Sequence, residues 1–131
     1  MEYQIINSTN GRFLKLLAPV NNLQKILKKE SVNHLVIGEG EFDLTFLLDS
    51  HNYIEKLINI NLSRVENQFL EELTNLKHLY WEKNNCKNLN LGNLKHLEYI
   101  NIEWKKEMPV FYNSSLSYVE IRKYKNNDLK W

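Results

Sequence analysis

The tetrapeptide Leu-Lys-His-Leu occurs twice, at Leu76 to Leu79 and at Leu94 to Leu97, and each copy runs into a short alternating apolar segment. Around the first copy Leu76, Leu79 and Trp81 are spaced as L-x-x-L-x-L, with Asn84 and Cys86 two steps further along. Such a unit is a turn feeding a short strand with one apolar side, and a single unit cannot bury that side alone. Copies must therefore stack. The same spacing recurs at Val32, Leu35, Ile37; Leu57, Ile60, Leu62; Leu97, Ile100, Ile102; and Leu116, Val119, Ile121. The starts at 32, 57, 76, 97 and 116 are separated by 25, 19, 21 and 19 residues.

The second unit has a rival register, Ile54, Leu57, Asn59, which evens the steps to 22, 22, 21 and 19. It also puts Asn59 in the core and turns Ile58 and Ile60 toward water. Because a slip in register exchanges the two faces of a strand, the register that keeps Asn59 outside is the one expected.

L-x-x-L-x-L followed by N/C-x-L resembles the leucine-rich repeat. The resemblance covers Ser31 to Arg122. It implies an α/β fold: an irregular solenoid with a short parallel sheet of about five strands, and helices or loops on its convex side. Only one unit has Asn at the expected place. Gly40, Val65, Lys105 and Tyr124 stand there in the others, so the ladder that satisfies buried backbone groups is incomplete and the solenoid irregular.

A length of 131 residues fits one domain, 1–131, able to bury about two-thirds of its unfolded surface. Residues 1–31 read as an N-terminal cap over the repeats 32–122. Tyr3 to Ile6 and Phe13 to Leu17 form a hairpin around Asn10-Gly11. Asn21 or Asn22 then caps a helix carrying Leu23, Ile26 and Leu27 on one face and ending near Lys28, Lys29 and Glu30. Gly38 to Lys56 reads either as a strand followed by a helix or as one short helix from Asp43. Val65, Phe69, Leu70 and Leu73 place a helix between Arg64 and Asn75. Glu82 to Asn93 is irregular, Pro109 excludes a central strand, and 123–131 forms a C-terminal cap through Tyr124, Leu129 and Trp131.

Apolar residues at 43% and charged residues at 25% are ordinary for a folded soluble chain. A formal charge of +1 argues against bulk binding to nucleic acid, which needs a basic stripe. No apolar run approaches the roughly 20 residues that cross a bilayer, and the N-terminus has no basic start before an apolar stretch; a cytoplasmic location is expected. The single Cys86 cannot form an internal disulfide and reads as a small packing residue. Three glycosylation-type triplets beginning at Asn7, Asn61 and Asn113 are coincidences of an Asn-rich chain.

No phosphate-binding glycine loop, nucleophile elbow or His-Glu-x-x-His is present, and His34, His51, His78 and His96 have no compact ligand spacing with Cys86. Neither catalytic residues, a cofactor nor a metal is expected. Function should lie in the side chains that alternate with the buried ones. They form rows about 4.8 Å apart across the strands: His34, Asn59, His78, Tyr99, Tyr118; then Val36, Asn61, Tyr80, Asn101, Glu120; then Gly38, Ser63, Glu82, Glu103, Arg122. One end is small and neutral, and the other concentrates tyrosines and carboxylates. Tyrosine offers large contact area at small rotamer cost, and adjacent carboxylates repel until a cation meets them. The plainer reading has Glu103 and Glu120 paired with Arg122 and the tyrosines tiling an exposed sheet.

The expected partner surface is His78, Tyr80, Glu82, Tyr99, Asn101, Glu103, Tyr118, Glu120 and Arg122, and the expected partner another protein, met by a monomer that forms a heterodimer. A compact, enzyme-free chain without an export signal acts by occupying something, and this is read as a bacterial immunity protein that neutralises a toxin domain. Leucine-rich-repeat ribonuclease inhibitors block basic nucleases, so the resemblance suggests an RNA-cleaving toxin. An adaptor or structural role, or an enzyme of unrecognised type, are the other classes open at this point.

Overall fold

Period-two alternation of apolar and polar residues gives seven strands, which the computed structural model joins in one open mixed sheet in sequence order. The structure describes residues 3–9, 11–60, 68–82, 90–103, 110 and 115–122. β1 (Tyr3–Ser8) and β2 (Gly11–Leu16) form an antiparallel hairpin. β3 (His34–Ile37), β4 (Lys56–Asn59), β5 (His78–Trp81), β6 (Tyr99–Glu103) and β7 (Tyr118–Arg122) then add one after another, all parallel to β2.

The strand count thus exceeds the expected five. The N-terminal hairpin is the first edge of the same sheet, because Leu14 and Leu16 stand beside Leu35 and Ile37 and share their inward spacing. The hairpin is also tight, its strands running to Ser8 and Gly11. Gly11 has φ 118°, a conformation open to glycine and strained for other residues.

The register expected for the second unit is corrected. Leu57 pairs with Leu35 and Leu79, and Asn59 with Ile37 and Trp81, so Ile54, Leu57 and Asn59 point inward. Ile54 and Leu57 are fully buried and Asn59 is 1% exposed, while Ile58 and Ile60 lie half-buried on the other face. Two buried aliphatic side chains and an unbroken backbone ladder outweigh one buried amide. The same junction bond recurs between units: the amide N–H of Glu55 donates to Asn33 O (3.0 Å), Lys77 to Glu55 O (2.8 Å), Glu98 to Lys77 O (2.8 Å) and Ser117 to Glu98 O (2.9 Å).

The apolar side of the sheet is covered by α1 (Leu23–Glu30) and two 3-10 helices, Thr45–Ser50 and Gln68–Glu72. α1 ends with Ser31 in the left-handed region (φ 55°). The Val32 amide bonds to Leu27 O (3.0 Å) and the Ser31 amide to Lys28 O (3.3 Å), a Schellman arrangement that delivers buried Val32 to the core. Asn22 at the other end is itself left-handed and supplies no side-chain cap; Asp49 Oδ2 accepts from the Gln24 amide instead (3.1 Å).

Of the alternatives for Gly38 to Lys56, the short helix is found, beginning beyond Asp43, whose Oδ1 accepts from the Thr45 amide (2.8 Å). Between Arg64 and Asn75 the described residues are 68–75, of which Gln68–Glu72 form a 3-10 helix, while 64–67 lie outside the described residues. Leu70, Leu73 and Leu76 carry three-residue steps on from this helix toward β5. The Leu73 amide bonds to Leu70 O (3.2 Å) and the Leu76 amide to Leu73 O (3.0 Å); Leu91, Leu94 and Leu97 repeat the staircase at 3.1 and 3.0 Å. All six leucines are fully buried. Asn84, Cys86, Pro109 and the tail 123–131 with its expected cap lie outside the described residues.

Candidate partner-binding face

With β4 in its observed register, the rows on the open face become His34, Lys56, His78, Tyr99, Tyr118; then Val36, Ile58, Tyr80, Asn101, Glu120; then Gly38, Ile60, Glu82, Glu103, Arg122. Asn59 leaves the face, and Asn61 and Ser63 lie outside the described residues. The nine residues anticipated as a partner surface all stand on β5, β6 and β7 or immediately after β5, and the parallel register brings them together.

Two assemblies order this end. His78, Tyr99 and Tyr118 make a stacked ladder, with centroids 5.6 Å apart at 26° and then 4.8 Å apart at 7°. Equivalent positions on parallel neighbours repeat at the strand spacing, so planar side chains there can lie ring on ring. The second assembly centres on Arg122, which reaches from β7 to β5. Its Cζ lies 4.5 Å from the Tyr80 ring centroid, Nη2 donates to Trp81 O (2.7 Å), Nε donates to Asn101 Oδ1, and Nη1 stands 3.7 Å from Glu82 Oε2. Planar guanidinium donors and the cation–π contact use the same group at once.

The charged pattern differs from the plainer sequence reading, since Arg122 pairs with Glu82. Glu120 Oε1 accepts from the Tyr118 hydroxyl (2.8 Å), Glu82 Oε2 from the Tyr80 hydroxyl (2.5 Å), and Asn101 Nδ2 donates to Tyr99 Oη (3.1 Å). Asn101 and Glu103 are only 5% and 6% exposed, so they support the face from beneath, whereas Tyr118 and Glu120 offer accessible surface. Burial, and then the bond to Glu82, raise the Tyr80 pKa above 10.0. The bond to Glu120 does the same for Tyr118. Both phenols thus stay protonated and donate to carboxylates, which holds the rings in place.

The other end is not small and neutral. Lys56 and Ile58 replace the expected asparagines, and β2 adds Phe13 in line with His34 and Val36 beside Lys15. A hollow of about 140 Å³ lies among Arg12, Phe13, His34, Val36, Lys56 and Ile58, and a second of about 340 Å³ continues from Lys56 and Ile58 to His78, Tyr80 and Tyr99. His34 and Val36 stand in the expected rows; Lys56 and Ile58 were missed because of the register chosen for the second unit, and Phe13 because the hairpin was read as a cap. The even 22-residue step was the signal that would have found Lys56 and Ile58.

Burial, followed by repulsion from Lys56, lowers the His34 pKa below 6.5. Arg12 is engaged by Glu30, through Oε1 at 3.3 Å and the carbonyl oxygen. Among the described residues no three His, Cys, Asp or Glu are grouped to hold a metal ion, and no helix is long and apolar enough to cross a membrane. Comparison with family models, with curated proteins and with solved structures finds no match to this chain.

Proposed function

We propose that this chain is a protein-binding module, an irregular leucine-rich-repeat-like solenoid whose open sheet face holds another protein, and that it serves as an immunity protein occluding a toxin domain. The observation that carries the reading is the ladder His78, Tyr99, Tyr118 with Tyr80 beside it: aromatic area ordered before any partner arrives. Rings held by stacking and by hydroxyl bonds lose little freedom on binding, so their contact area converts more fully into affinity. The apolar core on the opposite side of the sheet is independent of these rings, which leaves the face free for recognition. The partner class rests on the resemblance of the repeat units to leucine-rich-repeat ribonuclease inhibitors, which favours an RNA-cleaving domain. Cations of such a domain would meet Glu82 and Glu120, and the complex would be a heterodimer of two monomers.

The test uses a toxin domain encoded beside this chain, purified and titrated calorimetrically. Tyr99→Ala combined with Tyr118→Ala should leave thermal unfolding cooperative while weakening binding by at least tenfold and restoring toxin activity, because central aromatic anchors dominate interfaces. Full affinity in that double variant would rule the face out. Failure of the wild-type chain to bind or protect would rule out the immunity role.

A further inference from the structure

We infer that the N-terminal half of the open face is a subsite for an extended acidic, apolar segment of the protein partner, with the partner's carboxylate seated over Lys56. The inference rests on the reading of this face as the binding surface and goes beyond it by fixing the chemistry of one end. The two hollows share Lys56 and Ile58 and form one trough. Its apolar lining comes from Phe13, Val36, Ile58 and the rings of Tyr80 and Tyr99, and among the described residues no carboxylate lines it.

The nearby acids are engaged elsewhere. Glu30 holds Arg12, and Glu55 is shared by Lys77 Nζ (3.1 Å) and Asn33 Nδ2 (2.5 Å). Among the described residues Lys56 thus has no ion-pair partner, although it stands half-buried between His34 and His78. A cation set among apolar side chains and flanked by imidazoles selects an anion that brings apolar neighbours with it. Burial is the first cause of the lowered His34 pKa and repulsion from Lys56 the second, with Glu55 opposing both.

Geometry sets the length of the occupant. From β2 to β6 the trough crosses four strand intervals of about 4.8 Å, roughly 19 Å, which an extended segment of about six residues spans. The charge on the face is asymmetric, with Lys56 on the central strand β4 and Glu82 and Glu120 toward the β7 edge, so one orientation of a partner is favoured. Like-charge contacts would oppose the reversed pose.

The test is a random hexapeptide library displayed on phage and panned against the immobilised folded chain. Recovered peptides should carry Asp or Glu between apolar residues. Their affinity should fall at least tenfold on Lys56→Glu and less on Lys56→Gln, and should fall with added salt. Circular dichroism melting of both Lys56 variants verifies folding. Recovery of basic peptides, equal binding to Lys56→Glu, or no enrichment above that variant would overturn the inference. If the peptide arm fails while Tyr99→Ala with Tyr118→Ala still abolishes toxin binding, the subsite falls and the functional reading stands; the converse result separates them the other way.

Discussion

Three residues show how local chemistry departs from what their positions prefer. His34 has its pKa held below 6.5 by burial and by Lys56, so in the interval just under that value the unfolded chain binds the proton and the folded chain does not. Its share of stability is intact above pH 6.5 and is lost as pH falls from there to the folded pKa. Urea midpoints at pH 7 and at mildly acidic pH should therefore diverge more for the wild type than for His34→Gln. Ser31 occupies a left-handed position that glycine adopts without strain. Ser31→Gly should stabilise the fold by about 0.5–1 kcal/mol in chemical denaturation. Ser50 is fully buried, and its hydroxyl has no hydrogen-bond partner among the described residues. It stands in the step before Ile54 where the next two units have Leu73 and Leu94. Ser50→Ala removes an unpaired hydroxyl and should raise stability by about 1 kcal/mol, read from the same denaturation curves.

At the scale of elements, what the sequence disclosed and what it withheld both trace to β4. Strand positions at Leu35, Leu79, Ile100 and Val119 were legible because aliphatic side chains at L-x-x-L-x-L spacing have one physical use, and the hairpin and α1 followed from turn residues and a single apolar stripe. The register of β4 was not legible from hydrophobicity, because Ile58 and Ile60 compete with Leu57 for the core and Asn59 argues against its own burial. Long-range capping was equally hidden: Asp49 serves α1 from 25 residues away, a distance no local motif encodes. Both features can be checked by substitution. Ile60→Lys, at a half-buried position on the open face, should cost about 1 kcal/mol or less, whereas Leu57→Ala, at a fully buried one, should cost about 2–5 kcal/mol. A cost at Ile60 as large as that at Leu57 would restore the other register, in which both are buried. Asp49→Ala should lower stability by about 0.5–1 kcal/mol, within the range for a lost helix cap.

For the molecule as a whole, strand order equal to chain order has an energetic consequence. Among the described residues each strand is bonded only to its sequence neighbours, so β4 and β5 are clamped on both sides, while β1 and β7 each have one neighbour. Opening from an edge breaks one set of ladder bonds, and opening at the centre breaks two, so local unfolding free energies should climb from the ends toward the middle. On the core side of β7, Val119 and Ile121 are 43% and 38% exposed, in contrast to full burial of Leu57, Leu79 and Trp81. Native-state hydrogen exchange should therefore show the greatest protection at amides of β4 and β5 and the least at β7. That gradient bears on recognition, because β7 carries Tyr118, Glu120 and Arg122, the accessible end of the tyrosine ladder and the cation that ties it to β5. A partner bound across the face stabilises the conformation it binds, and the weakest element gains most. The largest rise in protection on complex formation should thus appear in β7, with little change in β4 and β5 backbone amides. Arg122→Lys, which keeps the charge but loses the planar fork that reaches Trp81 and Asn101, should reduce β7 protection in the free chain. Equal protection along all seven strands, or a bound-state gain confined to β1, would show that the face does not work as one coupled surface.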